Sequence, residues 1–508
     1  MILLTAGVVN RLLGFVPRIA LPRVIGAEGV GLYQMSYPFL IVVLTLVTGG
    51  IPLAVAKLVA EAETGGASHQ AKRILGMALL FTLSLSLFFA GICVVSAPYL
   101  TRLLFTDPRV FYTFVCIAPI IPIIGVSSVF RGYFQGKQNM IPTAVSQITE
   151  SLVRIAGMLT LAVSLAPLGL EYAAAGVMVG TLLGEISGMI VLLLQYRKSR
   201  TKGRFIPKID AKNEHEQSRR FILRKVILVS LPVTANRLVG SFSYFFESVL
   251  TVQCLAIAGV ATAAATMQYG SLQGMIIPVL LLPGVLTYSL SVSLIPTLSE
   301  AGAKGDLVTI HKRLHQSLKL ALLSGTPFAV FMYVLSDPIC YYLYANSEIG
   351  VMLRMMAPAA LFIYFQGPLQ ATLQALNHSG KALVNTLIGT IVKLALIFVL
   401  ASNPSFGILG AIMAIIVNIM LVTVLHWNSV TRLLRFSFPS SEFFKIGLIA
   451  VGTGYVCYWI MGSTIVGNPL LRFLITLFAG TVFYIIGILV LKMVDADDLR
   501  KLPMPWKK

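Results

Sequence analysis

Runs of some twenty mostly apolar residues recur from one end of the chain to the other, separated by short breaks that are polar or rich in Gly and Pro. A helix needs about that length to cross roughly 30 Å of hydrocarbon, so each run predicts a membrane-spanning helix. About fourteen are expected. Six lie in the first half, at residues 1–21, 31–56, 74–97, 110–130, 143–165 and 172–196. Six more follow at 226–248, 262–294, 314–336, 350–374, 382–401 and 407–428, and the last two at 446–462 and 470–491. The eighth is long for a single span and contains Pro278, Pro283 and Gly284, which predicts a broken or kinked helix. Strands are not expected, because backbone groups in lipid must pair within helices or closed barrels and no alternating ten-residue pattern repeats. The pattern therefore predicts an all-α polytopic membrane protein.

Composition agrees. Hydrophobic residues make up 57% of the 508 and charged residues 11%, against roughly 25% charged in soluble domains. The net charge of +20 would suit a nucleic-acid binder, but its distribution argues otherwise. Loops expected on one side hold 28 basic residues, eleven of them between Arg197 and Lys225, while the opposite loops hold only Arg23, Arg102 and Arg109. The positive-inside rule places the basic side in the cytoplasm, with both termini. The excess then serves topology and anionic lipid headgroups, and no nucleic-acid partner is expected. The first span begins at Met1 without a charged leader or a small-residue cleavage site, and reads as a retained helix. Cys93, Cys116, Cys254, Cys340 and Cys457 are scattered and suggest neither a metal site nor a disulfide framework. No cofactor is expected.

Segment 197–225 is the long polar stretch, and it divides the first twelve spans into a six-helix lobe at 1–196 and a second at 226–440. Helices 13 and 14 with a basic tail occupy 441–508. At a fixed offset of 239, Ala118-Pro119 matches Ala357-Pro358, Glu61-Ala62 matches Glu300-Ala301, and Val153-Arg154-Ile155-Ala156 matches Val392-Lys393-Leu394-Ala395. These collinear matches point to internal duplication. With six spans in each half, the repeats are parallel, and paired bundles of that kind enclose a central site.

Eight basic residues fall within or at the edges of spans: Arg11, Arg18, Arg154, Arg237, Lys319, Arg354, Lys393 and Arg472. The acidic residues so placed are Glu150, Glu185 and Glu247. A charge at the bilayer centre costs about 2.5–3.5 kcal/mol on insertion scales, so these side chains should face a watery cavity or a partner. Lys319, Arg354 and Arg472 lie near span ends, where long side chains reach the headgroups. Arg11, Arg154, Arg237 and Lys393 are deep, in spans 1, 5, 7 and 11. Arg18 shares a helical face with Arg11. Glu150 lies one turn before Arg154 and can neutralise it; Arg237 and Glu247 share no obvious face. A cavity lined by Arg and Lys in excess attracts anions, and guanidinium forks match phosphate oxygens, so a cargo bearing phosphate or pyrophosphate is expected. No Walker A loop, H-E-x-x-H or nucleophile elbow is present, and the protein is not expected to be an enzyme. The six histidines, His69, His215, His311, His315, His378 and His426, fall mainly in or near cytoplasmic loops and read as solvated.

The segments Asn10-Arg11-Leu12-Leu13-Gly14-Phe15, Ile25-Gly26-Ala27-Glu28-Gly29-Val30-Gly31-Leu32-Tyr33 and Arg131-Gly132-Tyr133-Phe134-Gln135-Gly136-Lys137 resemble those of sporulation proteins. So do Leu255-Ala256-Ile257-Ala258-Gly259 and Tyr364-Phe365-Gln366-Gly367-Pro368. These sporulation proteins belong to the polysaccharide-transport branch of the multidrug/oligosaccharidyl-lipid/polysaccharide exporter superfamily, relatives of MurJ-type lipid II flippases. The resemblance implies a two-lobe flippase for an undecaprenyl-pyrophosphate-linked saccharide, working by alternating access in peptidoglycan synthesis such as that of the spore cortex. It implies that Arg11, Arg237 and Arg18 bind the pyrophosphate, with Arg18 one position away from its counterpart. It also implies that helices 13 and 14 form a groove for the lipid tail. Arg154, Lys393, Glu150, Glu185 and Glu247 would then shape the field or couple transport. Some relatives hold sodium with carboxylates in spans 7 and 11; span 11 here has none and presents Lys393. Two other readings stand beside this one: a cation-coupled multidrug exporter, and a non-transporting scaffold for cell-wall synthases.

Overall fold

In hydrocarbon a backbone amide has no water to turn to, so a chain this apolar satisfies its N–H and C=O groups within helices. The computed structural model describes residues 10, 13–65, 68–202, 219–463 and 466–493, and among them every regular element is helical. The chain divides into two compact units. The first comprises Met1–Met275 with Ile397–Gly410, and the second Ile276–Leu396 with Ala411–Lys508.

In chain order the helices are α1 (Phe15–Thr48), α2 (Ile51–Thr64), α3 (Ser68–Leu104), α4 (Val110–Val115), α5 (Ile117–Gly136) and α6 (Ile141–Leu165). There follow α7 (Leu170–Lys202), α8 (Arg219–Ile257), α9 (Thr262–Gly270), α10 (Ile277–Leu281), α11 (Gly284–Ala303) and α12 (Leu307–Val334). The last are α13 (Ser336–Tyr344), α14 (Gly350–Ala375), α15 (Ser379–Ala401), α16 (Ile408–Leu434), α17 (Ser440–Gly462) and α18 (Pro469–Val490). Among the described residues, eleven helices are long and apolar enough to cross a membrane, α1 and α2 counting together as one of 50 residues. Those 50 residues would extend about 75 Å if straight, more than twice the hydrocarbon thickness.

The expected gap between spans 1 and 2, residues 22–30, contains a kink at Gly26, where two helices meet without a loop and whose φ of 67° and ψ of 177° belong to a region open essentially to glycine alone. The second expected span, 31–56, is itself interrupted at Gly49-Gly50. The eighth is broken, as its prolines require. It runs as α9, a π-helical stretch over Ser271–Ile276, α10, and then α11 after Leu282 and Pro283. The break leaves the Leu280 carbonyl without a continuing helix, and the Tyr364 hydroxyl donates to it at 2.9 Å.

Glycines set how closely helices approach in the first unit, where packing rather than hydrophobicity must hold helices together. Gly132 and Gly136 of α5 lie against α2: a Cβ on Gly132 would stand 2.5 Å from the Pro52 carbonyl oxygen, and one on Gly136 2.6 Å from that of Ala56. On α7, Gly176, Gly180, Gly184 and Gly188 recur every four residues and form a ladder against α6. A Cβ on Gly180 would sit 2.3 Å from the Met158 amide nitrogen, and one on Gly184 2.5 Å from the Arg154 Cβ.

Replacing Gly180 by Ala should therefore force α6 and α7 apart and destabilise the protein by about 1–3 kcal/mol. Gly76→Ala, in α3, meets nothing within 4 Å and should be neutral or better. Thermal unfolding in detergent checks the pair, and equal shifts for the two variants would contradict the ladder's role.

Candidate functional site

Close approach of α6 and α7 brings charged side chains together inside the first unit. Glu150 of α6 accepts from two arginines: Arg154 Nη1 at 3.0 Å, one turn along its own helix, and Arg131 Nη2 of α5 at 2.6 Å. Arg154 Nη1 also lies 4.0 Å from Glu185 Oε1 on α7. Both carboxylates are buried. The one-turn Glu150–Arg154 pair is as the sequence suggests; Arg131 is not, since it was expected in a cytoplasmic loop beyond span 4. Helical periodicity continues past it to Gly136, with the turn delayed until Lys137-Gln138-Asn139, and that was the signal available. The same region holds Tyr33 and Tyr37, one turn apart on α1 with ring centroids 5.6 Å apart. Both lie within electrostatic reach of Arg154 and Arg18.

A second arrangement surrounds the Gly49-Gly50 interruption. Arg237 Nη1 of α8 donates to the Gly49 carbonyl at 2.8 Å, and Thr234 Oγ1 accepts from the Gly50 amide at 2.9 Å. The hydroxyls of Thr45 and Ser241 meet at 2.8 Å. Two residues of α8 thus attend the backbone groups that the break exposes, and a third, Ser241, ties the same two helices through Thr45. Arg237 is itself exposed and, among the described residues, has no carboxylate partner.

The other expected site residues are dispersed. Arg18 is exposed, its guanidinium 5.8 Å from the Phe15 ring centroid, again with no carboxylate among the described residues. Arg11 lies outside the described residues, as does most of the basic segment 197–225. Glu247, buried on α8, accepts from Gln273 Nε2 at 2.7 Å. Lys393 is buried in the second unit. Of the residues read as reaching the headgroups, Arg354 pairs with Asp337 at 2.6 Å and Arg472 donates to the Val466 carbonyl at 2.8 Å.

Three of the histidines depart from the solvated reading, while His69 is exposed as expected. His426 is buried and meets Asn385 Nδ2 at 3.1 Å, while His311 reaches the Leu434 carbonyl at 2.8 Å and His315 the Glu442 carboxylate at 3.0 Å. His215 lies outside the described residues.

Near Arg102, a latch unforeseen from the sequence joins three segments of the first unit. Arg109 holds Asp107 Oδ2 at 2.8 Å and Glu28 Oε1 at 2.6 Å, and the Thr266 hydroxyl donates to Asp107 Oδ2 at 3.0 Å. α1 and α9 cross tightly beside it, a Cβ on Gly31 falling 2.1 Å from the Thr266 carbonyl oxygen. Burial pushes the Asp107 carboxyl up, but the hydrogen bonds from Arg109 and Thr266 outweigh it and hold the group below the usual range. Arg109 is raised correspondingly by its bond to Asp107.

The second unit contains an apolar groove of about 840 Å³. It lies among α12, α14, α16 and α17, with Leu322, Phe362, Phe365, Trp427, Phe443 and Ile446 on its walls and Thr423, Asn428 and Thr431 along one side. Its volume is that of a ligand pocket. The resemblance implied helices 13 and 14; α17, which covers the expected thirteenth span, contributes to the walls, and the lining residues include none from α18.

Residues 1–302 match the family described as polysaccharide biosynthesis protein, and 241–399 match MatE. The chain is 41% identical to the stage V sporulation protein B of Bacillus subtilis (strain 168), over 99% of this chain and 97% of that protein. It is 25% identical to the lipid II flippase MurJ of the same organism, over 76% and 74% of the respective chains. Among solved structures it is similar to lipid II flippase MurJ in an inward closed conformation, with a TM-score of 0.73, 15% identity, and 98% and 99% of the two chains covered. An inward-facing multidrug resistance MATE family transporter of the MOP superfamily gives a TM-score of 0.68 at 14% identity, over 84% and 94%.

The latch makes a pH prediction. Asp107→Asn should cost about 1–3 kcal/mol, because it weakens hydrogen bonds to a buried charged group. A carboxyl held low in the fold contributes stability above its unfolded pKa of about 3.9 and loses it as pH falls through the lower folded value. The stability gap between wild type and Asp107→Asn should be constant at neutral pH and narrow below about pH 3.9. Unfolding measured across pH tests this, and a gap that widens on acidification would contradict it.

Proposed function

The chain belongs to the family of the stage V sporulation protein B, polysaccharide-transport members of the multidrug/oligosaccharidyl-lipid/polysaccharide exporter superfamily, and from that membership we propose that its cargo is a lipid-linked saccharide. It is a multi-pass membrane transporter rather than an enzyme. On this reading it is a flippase that carries an undecaprenyl-pyrophosphate-linked sugar, lipid II in the first instance, from the cytoplasmic to the outer leaflet by alternating access. The product would serve peptidoglycan, including that of the spore cortex. Fourteen spans, two duplicated lobes and cytoplasmic termini belong to the same proposal.

The observation that carries it is a pair of intramembrane arginines, Arg18 and Arg237, that have no carboxylate partner among the described residues. A guanidinium in that position is costly unless an anion or water meets it, and pyrophosphate oxygens suit its fork of donors. Arg11 joins them by resemblance. The apolar groove supports the reading from the tail's side: its walls suit an isoprenoid chain. Arg154 and Lys393 would shape the field around the headgroup, and Glu247 would hold the local donors in place.

Structural relation to multidrug exporters, with the MatE match over 241–399, favours a second reading as a cation-coupled drug exporter. Exposed arginines without carboxylates oppose it, since a cation is repelled by them.

Arg18→Ala and Arg237→Ala, at unchanged protein level, should each lower flipping of a lipid II analogue in proteoliposomes by at least about tenfold, the loss of one charge-assisted contact of about 1.5–3 kcal/mol. Leaflet accessibility of the headgroup is the readout. Unimpaired flipping in both variants would sink the proposal, and dye efflux that survives them would favour the exporter.

A further inference from the structure

Glu185 is a buried carboxylate of the first unit whose hydrogen-bonding needs are not met among the described residues. Its side chain is 9% exposed, and its Oε2 is buried without a hydrogen-bond donor among the described residues. Of the neighbouring arginines, Arg131 gives Nη2 to Glu150 Oε2 at 2.6 Å and has a buried Nε with no acceptor among the described residues, and Arg154 gives Nη1 to Glu150 Oε1 at 3.0 Å. Glu185 Oε1 has only the 4.0 Å approach of Arg154. The titratable and charged groups facing it are Arg131 from α5, Glu150 and Arg154 from α6, and Tyr37 from α1.

The missing partner of the orphaned oxygen is a donor, and the neighbouring group with lone pairs to receive one is the Glu150 carboxylate, whose Oε1 lies 3.0 Å from the same Arg154 Nη1 that approaches Glu185 Oε1 at 4.0 Å. Two carboxylates this close, away from water, repel each other unless one carries a proton. We propose that Glu185 binds a proton taken from solvent, shares it with Glu150 as an O–H···O bond, and by doing so sets whether Arg154 and Arg131 are available to an anion.

The charge balance follows. With the proton bound, two guanidinium groups face one carboxylate, and the cluster has one positive charge to offer. With the proton returned to solvent, two carboxylates neutralise two arginines, and Arg154 is drawn toward Glu185. Proton and anion therefore favour each other's binding, and the coupling is reciprocal. The linkage to cargo rests on the pyrophosphate reading above; the proton site itself does not. Glu185 is a binding residue for the proton and a positioning residue for Arg154.

The full chain in lipid nanodiscs provides the test. Infrared spectra at neutral pH should contain the C=O stretch of a protonated carboxylic acid, lost in Glu185→Gln and shifted but retained in Glu185→Asp. A band unchanged by Glu185→Gln would overturn the proton site, as would the absence of any such band in the wild type. Binding of farnesyl pyrophosphate then tests the linkage. Wild type should bind about tenfold more tightly at pH 6 than at pH 8, within the usual range for coupled sites. Glu185→Gln, fixed in the uncharged form, should bind at both pH values with affinities within twofold of each other. Equal pH dependence in the two proteins would overturn the linkage. Absence of binding by both would overturn the pyrophosphate reading and the linkage with it, while the infrared band judges the proton on its own.

Discussion

A polar group surrounded by hydrocarbon must find an opposite charge, a hydrogen-bonding partner or water, and the described structure is organised around that requirement. At several helix breaks and ends, a side chain of the same unit attends the backbone that comes free. Arg237 and Thr234 serve Gly49 and Gly50, Tyr364 serves Leu280, and Arg472 serves Val466. The charges obey the same rule. Glu150 would be untenable alone at its depth, and the glycine ladder of α7 lets α6 come near enough for Glu150, Arg154 and Glu185 to form one cluster.

Against that background the exceptions are informative. Arg18 and Arg237 are exposed and without a carboxylate among the described residues, whereas Arg109, Arg131, Arg154 and Arg354 all have one. Paired arginines hold the fold; exposed, uncompensated ones are suited to a ligand that brings its own negative charge. An apolar groove in the second unit supplies surface of the opposite character. The proposed cargo, a pyrophosphate joined to an isoprenoid chain, needs both kinds of surface. Energetically the two kinds act differently, the guanidinium by directed hydrogen bonds and the groove by area removed from water.

Much of this was legible in the sequence because membrane helices are specified by apolar run length, and intramembrane charge stands out against so apolar a background. The broken eighth helix followed from Pro278 and Pro283, and the Glu150–Arg154 pair from one-turn spacing. Contacts that depend on tertiary approach were less accessible. The gap between the first two apolar runs marks the kink at Gly26, but nothing in its neighbours says that the two helices meet there without a loop. Arg131 lies just past the apolar run, which ends at Phe130, although its helix continues to Gly136. His426 reads as solvated in the sequence, yet α15 supplies Asn385 beside it. The latch of Glu28, Asp107, Arg109 and Thr266 joins residues up to 238 positions apart in sequence, and a single sequence contains no signal for that pairing.

The central claim is that the intramembrane arginines select an anionic lipid, and native mass spectrometry of the purified protein tests it most directly. Offered undecaprenyl pyrophosphate, undecaprenyl phosphate and undecaprenol in equal amounts, the protein should retain the pyrophosphate form preferentially, and should lose that preference when Arg18 and Arg237 are replaced together. Equal retention of the neutral alcohol, or a preference that survives the double replacement, would contradict the account.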